Sequence, residues 1–295
     1  MSERVSVREP SASSLADLAA AHGLSPSSVR PPLGRYLRQL VQRRHFLLAF
    51  SRARVLSTYS KARLGQLWQV VTPLLHAGVY YLLFAVLLNT DRGIENFVGF
   101  LVVGVFIFGF TQRCVLRGAD AINRNLGLIR ALHFPRATLP LATTLAEFQH
   151  LAPALAVLTA VVLVTGEPLT ARWLLVVPAV ALQCLFNAGI ALAVARVGAQ
   201  VRDINQILPF AMRTWFYVSG VFFSLDRVLN RVPDAVDVVL QANPAAVYID
   251  LVRAAVLSGH EPLPHSWPLA VGWAALAIVG GFLFFWRAEE RYGRG

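Results

Sequence analysis

Apolar residues gather along this chain into six long runs, at approximately 67–88, 94–112, 139–164, 173–195, 204–223 and 267–286. A helix of ~20 residues crosses a hydrocarbon core of roughly 30 Å, so each run is long enough, or nearly so, to span a membrane. The polar connections differ in charge. Of the 27 basic residues, eleven precede the first run, five lie between the second and third, two follow the fourth and three follow the sixth. The other connections hold Arg92, Arg172, Arg227, Arg231 and Arg253, together with most of the acids outside the N-terminal region. Basic residues accumulate on the cytoplasmic side of a membrane protein. The pattern therefore predicts an all-α integral membrane fold with six transmembrane helices, multi-pass, both termini cytoplasmic.

Residues 1–33 are rich in Ser, Ala and Pro and read as a flexible cytoplasmic tail, with one short helix expected at 14–22. Residues 34–60 change character. Leu37, Leu40, Val41, Leu47 and Leu48 fall on one helical face and Arg35, Gln39, Gln42 and Arg43 on the other, with Arg44 intruding on the stripe. A basic amphipathic helix directly before a span is expected to lie in the headgroup plane. A cytoplasmic helix packed on a partner protein is the alternative. Residues 61–295 form the six-span transmembrane domain.

Within the first run, Trp68 is placed as an interfacial anchor, Pro73 predicts a kink, and Tyr80, Tyr81 and Phe84 follow toward the outer half. The second run is the weakest, with Thr111, Gln112 and Arg113 expected at the inner interface and Gly99, Gly104 and Gly109 permitting close helix contact. Charges within spans face a partner or a wet cavity. Glu147 in the third run and Arg213 in the fifth lie about 10–14 Å from their cytoplasmic ends at ~1.5 Å per residue, so they can pair. Either they lock two helices together, or Arg213 faces a conduit and meets an anionic substrate. The sixth run carries no charge and a Trp near each end, Trp267 and Trp286, and is expected to be a lipid-facing anchor. Within residues 229–262, the apolar run 245–257 carries Asp250 and Arg253 and is too short and polar to span. Asn243 is a predicted N-cap with Pro244 at the first helical position, and two short helices are expected to re-enter the outer membrane half there.

Composition agrees: 56% hydrophobic and 15% charged residues exclude an ordinary soluble domain of 295 residues. The net charge of +11 sits beside apolar runs, so anionic headgroups explain it better than nucleic acid. Cys114 and Cys184 lie 70 residues apart and support neither a disulfide nor a metal site. The single lysine, Lys61, follows Ser-Thr-Tyr-Ser, so this sequence contains no Walker A phosphate cradle. Zincin and nucleophile-elbow motifs are absent as well, and Glu147 stands without a second span carboxylate. The sequence offers no catalytic residues, metal or cofactor of its own. An energy source is expected from another chain, with the basic loop 118–138 as its point of contact.

Three stretches, taken in order and spacing, resemble the membrane-spanning (permease) subunit of bacterial type-2 ABC exporters for polysaccharides, the group exporting O-antigen, teichoic acid and related glycans. They are Tyr59-Ser-Lys-Ala-Arg-Leu-Gly-Gln-Leu-Trp68 with Pro73; Asn123-Arg-Asn-Leu-Gly-Leu-Ile129 with Phe134-Pro135; and Val201-Arg202-Asp203-Ile204-Asn-Gln206-Ile-Leu-Pro209, continuing to Phe222-Phe223 and Asn243-Pro244. Gly220 and Ser224 stand where relatives often carry proline.

The resemblance covers about 34–290 and implies a homodimer in the bacterial plasma membrane, paired with two copies of a separate ATPase that uses ATP and Mg. It implies that Asn123, Arg124, Asn125, Leu128, Ile129, Phe134 and Pro135 couple to that ATPase. Tyr80, Tyr81, Phe84, Arg213, Trp215, Phe216, Tyr217, Phe222 and Phe223 become candidates for a substrate channel, since aromatic faces suit sugar rings. Arg202, Asp203, Gln206, Asn243 and Pro244 form a structural motif. Arg35, Arg38 and Arg63 are candidates for a carrier phosphate or lipid headgroups. The implied cargo is a lipid-linked polysaccharide, O-antigen or cell-wall galactan. A type-2 exporter subunit for a drug or lipid, or a polyprenyl-linked glycan transferase, is the alternative.

Overall fold

The computed structural model describes residues 31–59, 63–83, 94, 96–132, 134–201, 203–224 and 233–292. The short helix expected at 14–22, the end of the first run with Phe84, the side chain of Tyr80, and Arg202 lie outside the described residues. The described chain folds into α1 (Leu33–Gln42), α2 (Arg44–Tyr59), α3 (Trp68–Tyr81), α4 (Phe97–Ala119), α5 (Leu126–Ala131), α6 (Thr138–Val164), α7 (Val176–Gln200), α8 (Ile204–Val218), α9 (Asp234–Gln241), α10 (Pro244–Val256) and α11 (Ser266–Trp286), with short 3-10 turns between some of them.

Among the described residues, four helices are long and apolar enough to cross a membrane: α4, α6, α7 with its lead-in from Ala171, and α11. The other two expected spans correspond to α3 and α8, of 14 and 15 described residues. The fifth run stops being helical earlier than its hydropathy suggests. The chain turns at Ser219 and at Gly220, whose φ of 67° is left-handed, so the apolar residues 221–223 leave the helix axis.

The run expected to be weakest is the centre of the bundle. The apolar window of α4 is 72% buried, against 28% for α11, and the helix continues through Thr111 and Cys114 to Ala119 rather than ending at an interface. Around it stand α3, α6, α7, α8 and α10. The last helix does more than anchor: α11 packs on α7 more extensively than any other two helices pack. Small residues allow this approach. A Cβ on Gly189 would meet the carbonyl carbon and oxygen of Ala277 at 2.1 Å, and one on Gly281 would meet the carbonyl oxygen of Gly189 at 2.0 Å. Gly198 meets the Ala119 carbonyl oxygen of α4 as closely. Backbone contact of this kind is how helices associate where water supplies no hydrophobic drive.

Between α8 and α11 the chain makes the two short helices the sequence predicts, α9 and α10. The N-cap is as expected: the Asn243 side chain accepts from the Ala245 amide, and Pro244 opens α10. Nearly every residue of α10 is buried, including Asp250 and Arg253. Arg253 fastens three segments. Its Nε donates to the Phe100 carbonyl at 3.1 Å, Nη1 to Gly220 at 2.8 Å and Nη2 to Val221 at 3.0 Å, with the guanidinium 3.2 Å over the Phe100 ring. Gly104 leaves the space: a Cβ there would lie 2.6 Å from Nη2. Asp250 does not pair with Arg253. It accepts from Leu263 N and Ser266 Oγ and lies 2.8 Å from a ring nitrogen of His260, ordering the loop into α11.

At the opposite end, α1 docks on the bundle through Tyr36 and leaves residues of the predicted apolar stripe uncovered. Leu37, Val41 and Leu48 remain exposed, whereas Tyr36 is 1% exposed. The Tyr36 hydroxyl donates to Glu289 Oε2 at 2.8 Å and accepts from the Ala137 amide, and Arg136 donates its own amide to Glu289 Oε1. Burial pushes the Tyr36 phenol well above its usual range, and the Glu289 charge adds to the effect. Burial also raises the Glu289 carboxyl, opposed by the hydrogen bonds from Arg136 and Tyr36.

Two substitutions test this packing. Gly281→Ala is expected to lower stability by about 1–3 kcal/mol, an overpacking cost against backbone that cannot retreat, while Gly280→Ala, which meets nothing within 4 Å, leaves it unchanged or slightly raised. Thermal unfolding of the purified protein in detergent reads both, and equal midpoints for the two variants would overturn the contact. Arg253→Met should cost about 3 kcal/mol or more, because three carbonyls lose a charged donor at once. Arg253→Lys is expected not to restore the loss in the same assay, since one ammonium cannot fork to three carbonyls.

Candidate functional site: a basic cavity between four helices

A cavity of about 350 Å³ opens between α3, α4, α6 and α8. Pro73 lines it on α3, beside Gln69, Thr72 and His76. From α4 come Gln112, Arg113 and Arg117; from α6, Glu147 and His150; from α8, Arg213, Phe216 and Tyr217. Helical spacing explains the grouping. Arg113 and Arg117 are four residues apart and share a face of α4, while Arg213 and Tyr217 do the same on α8.

Glu147 and Arg213 do line one cavity, but they do not pair. Glu147 is completely buried and is held by α4: Arg117 Nη1 donates to Oε1 at 2.5 Å, and Arg113 Nε lies 3.3 Å from Oε2. The physical reason is reach. The second span does not end at Arg113, so its last two turns present two guanidiniums directly against α6. Those side chains remain 38% and 36% exposed on the cavity side. Arg213 is exposed and forms no ion pair among the described residues. Three guanidiniums thus face one carboxylate. A pair with one buried and one open partner is tolerable at depth only because the open partners can be solvated or can meet a ligand.

The predicted channel aromatics divide. Phe216 and Tyr217 reach the cavity, and Phe222 packs on both rings, at centroid distances of 5.1 and 5.9 Å. Trp215 turns away: its Nε1 donates to Asn243 Oδ1 and its ring meets Phe108 edge-on, so it ties α8 to the cap of α10. Tyr81 is exposed on α3, and Phe223 is half-buried beyond the turn that follows α8. Asp203 and Gln206 are exposed at the start of α8, where the neighbouring Asn205 donates to Asp120 Oδ1 at 2.5 Å.

In the segment expected to couple to a partner, the apolar residues turn inward. Ile129 is buried and Leu128 and Phe134 pack on the cluster containing Tyr36, with Pro135 buried beside them. Asn123 donates to the Gly198 carbonyl and Asn125 to Ala121, so both hold the loop's shape. The outward face consists of Arg124, Gly127, Arg130 and Leu132. Arg35, Arg38 and Arg63 are exposed, far apart in sequence from the cavity arginines and absent from its lining. Sequence reasoning missed Arg117, His76 and Gln69, and read His150 as structural; the four-residue spacing of Arg113 and Arg117 was the available signal for the first.

The model of the ABC-2 type transporter family matches residues 45–257. The chain is 26% identical over 245 residues to the O-antigen export system permease protein RfbA of Myxococcus xanthus, covering 83% of this chain and 92% of that one. It is 25% identical over 227 residues to the protein of the same name from Klebsiella pneumoniae, covering 77% and 85%. The polysialic acid transport protein KpsM of Escherichia coli is 24% identical over 203 residues, covering 68% and 77%.

Arg117→Gln is expected to destabilise the protein by about 2–3 kcal/mol, somewhat below the ~3–5 kcal/mol of a fully buried broken pair because its guanidinium is partly solvated. Glu147→Gln together with Arg117→Gln should recover much of the loss. A melting series over the single and double variants measures the coupling, and strict additivity would refute the pair.

Proposed function

The chain belongs to the ABC-2 type transporter family, and from that premise we propose that it is the membrane-spanning subunit of an exporter that moves a lipid-linked polysaccharide out of the cytoplasm. Two of the similar proteins carry names concerning O-antigen export and a third concerns polysialic acid transport. The observation that carries the reading is the polar cavity inside an otherwise apolar bundle, rimmed by Phe216 and Tyr217 and backed by Arg213. An apolar drug needs no such lining. A charged, hydroxyl-rich molecule does, because every buried polar group of the cargo must find a partner.

In this reading the chain crosses the membrane six times, α3 and α8 forming the first and fifth crossings, with both termini cytoplasmic. Two copies associate. What supports association is a broad uncovered apolar surface: Leu74, Leu75 and Val79 on α3 and Ile207, Phe210 and Val218 on α8 are each between 46% and 73% exposed. Lipid covers part of it and the second copy the rest, so that α3 and α8 of both copies enclose the path. Tyr80, Tyr81, Phe84, Phe216, Tyr217, Phe222 and Phe223 offer ring faces to sugars along it, and Arg213 meets charge. Trp215, fastened to Asn243, supports the wall instead. α9 and α10 re-enter from the outer side and carry the turn after Val218.

The chain is not itself an enzyme. A separate ATP-binding subunit, using ATP and Mg, supplies the work through the segment Asn123–Pro135. Its outward basic face, Arg124 and Arg130, meets the partner, and Ile129 transmits displacement inward because it is packed on the same cluster as Tyr36. α1 and α2 lie against the membrane surface. The exposed Leu37, Val41 and Leu48 fit that placement, with Arg35, Arg38 and Arg63 on headgroups or a carrier phosphate.

Depletion of the protein in its host is expected to reduce surface glycan and leave lipid-linked glycan accumulating in the cytoplasmic leaflet. Extraction and sizing of the lipid-linked pool, with surface glycan measured in parallel, reads this. Unchanged export removes the proposal, and loss of glycan synthesis without accumulation favours a transferase.

A further inference from the structure

The cavity holds more positive charge than its structure needs. Arg113 and Arg117 share the single carboxylate of Glu147, and Arg213 has no ion pair among the described residues, so two charges are uncompensated around one cavity. Uncompensated charge at this depth is costly, and the attraction for an anion is correspondingly greater than in water. The geometry narrows the ligand. Glu147 is wholly sequestered while both arginine side chains keep more than a third of their surface open. The carboxylate thus occupies one edge of each fork and leaves the others free for a second anion.

A fourth guanidinium stands close by. Arg54 of α2 donates through Nη1 to Thr143 Oγ1, one turn before Glu147 on α6. Burial, and then the charge of Arg117, hold the Arg54 guanidinium below its usual range, so the field reaching α2 from this cluster includes a repulsive contribution from Arg117. A lone carboxylate ligand would balance one of the two excess charges. A phosphate dianion or a diphosphate balances both, and arginine forks match its oxygens two at a time. The volume of about 350 Å³ lies at the small end of ligand pockets, ~300–1,000 Å³, which suits the charged headgroup of a larger ligand.

We propose that this cavity binds a phosphate or diphosphate group between Arg113, Arg117 and Arg213, and that Glu147 is a built-in competing anion which holds Arg113 and Arg117 in place until the ligand's oxygens share them. The site differs from the surface arginines Arg35, Arg38 and Arg63, which are exposed and outside its lining. Identifying the group as the headgroup of a lipid-linked substrate rests on the exporter reading above; the preference for a phosphate rests on the cavity alone.

The test uses the full chain, purified in nanodiscs of phosphatidylcholine, titrated with inorganic pyrophosphate by calorimetry. Pyrophosphate is expected to bind, tenfold or more weakly in Arg213→Gln, and several-fold more tightly in Glu147→Gln, where the competitor is gone. Arg213→Gln breaks no ion pair, so its fold is preserved, and a melting curve of each variant confirms that. Equal affinity in all three proteins overturns the proposal, as does a loss confined to Arg35→Gln with Arg38→Gln. Two further arms identify the source. Farnesyl diphosphate binding more tightly than pyrophosphate assigns the site to an isoprenyl-linked headgroup; competition from phosphatidylglycerol, added to the nanodisc, assigns it to bulk anionic lipid. Both support a phosphate site. If depletion leaves glycan export unchanged while these affinities still shift as described, the exporter reading fails and the anion site stands.

Discussion

Within hydrocarbon, a backbone carbonyl that leaves its helix must be met by another part of the protein, and in this fold that duty falls on Arg253. α8 ends at Val218, and the turn that follows frees the carbonyls of Gly220 and Val221. One guanidinium takes both, and adds the Phe100 carbonyl of the central helix. The rest of this end follows from it. α10 must be buried to deliver the side chain, Gly104 must lack a Cβ to admit it, and Asn243 must cap α10 while holding Trp215 and Val218. A break in a membrane helix is tolerated when protein surrounds it, and here the surrounding protein is a second, buried helix, α10.

The same economy governs the other buried charges. Asp250 sits one turn from Arg253 yet serves the loop into α11, and Glu147 serves α4. Each charge is satisfied by polar groups of a different element, so each is a tie between segments distant in sequence. Helix contacts elsewhere are made by what is missing. Gly189 and Gly281 bring α7 and α11 to backbone contact, and Gly198 does the same for α7 and α4. Arg253 fastens a break, Glu147 ties two unbroken helices, and glycines bring the straight lengths together.

Much of this was legible in the sequence. Hydropathy located α4, α6, α7 and α11, and Asn243-Pro244 marked the start of α10, because length and capping are local properties. What escaped was anything set by partners in space. The second run looked weak because Thr111 and Arg113 interrupt its hydropathy, whereas α4 is the most enclosed helix of the four. Glu147 and Arg213 matched in depth, but Glu147 is held by a third helix, whose Arg113 the hydropathy had placed at an interface and whose Arg117 it had not singled out. The docking of α1 on the bundle through Tyr36 escaped as well, since a phenol with two buried hydrogen bonds is invisible to a periodicity of apolar residues. Among the aromatics, ring chemistry could not separate Trp215, turned to Asn243, from Phe216 on the cavity; only the rotation of α8 decides that.

The knot of Tyr36, Arg136 and Glu289 has a consequence for how the protein is made. Its members are separated by up to 253 positions, and Trp286 donates to the carbonyl of Pro31 across a similar interval. A ribosome delivers α1 first, so Tyr36 waits without its carboxylate until every crossing has been inserted and Glu289 emerges. Closure of that knot is therefore a late event that reports on all the earlier ones. A chain with one helix inserted in the wrong direction would carry Glu289 to the far side of the membrane and leave the first helix unlatched, a difference that quality-control proteases can read.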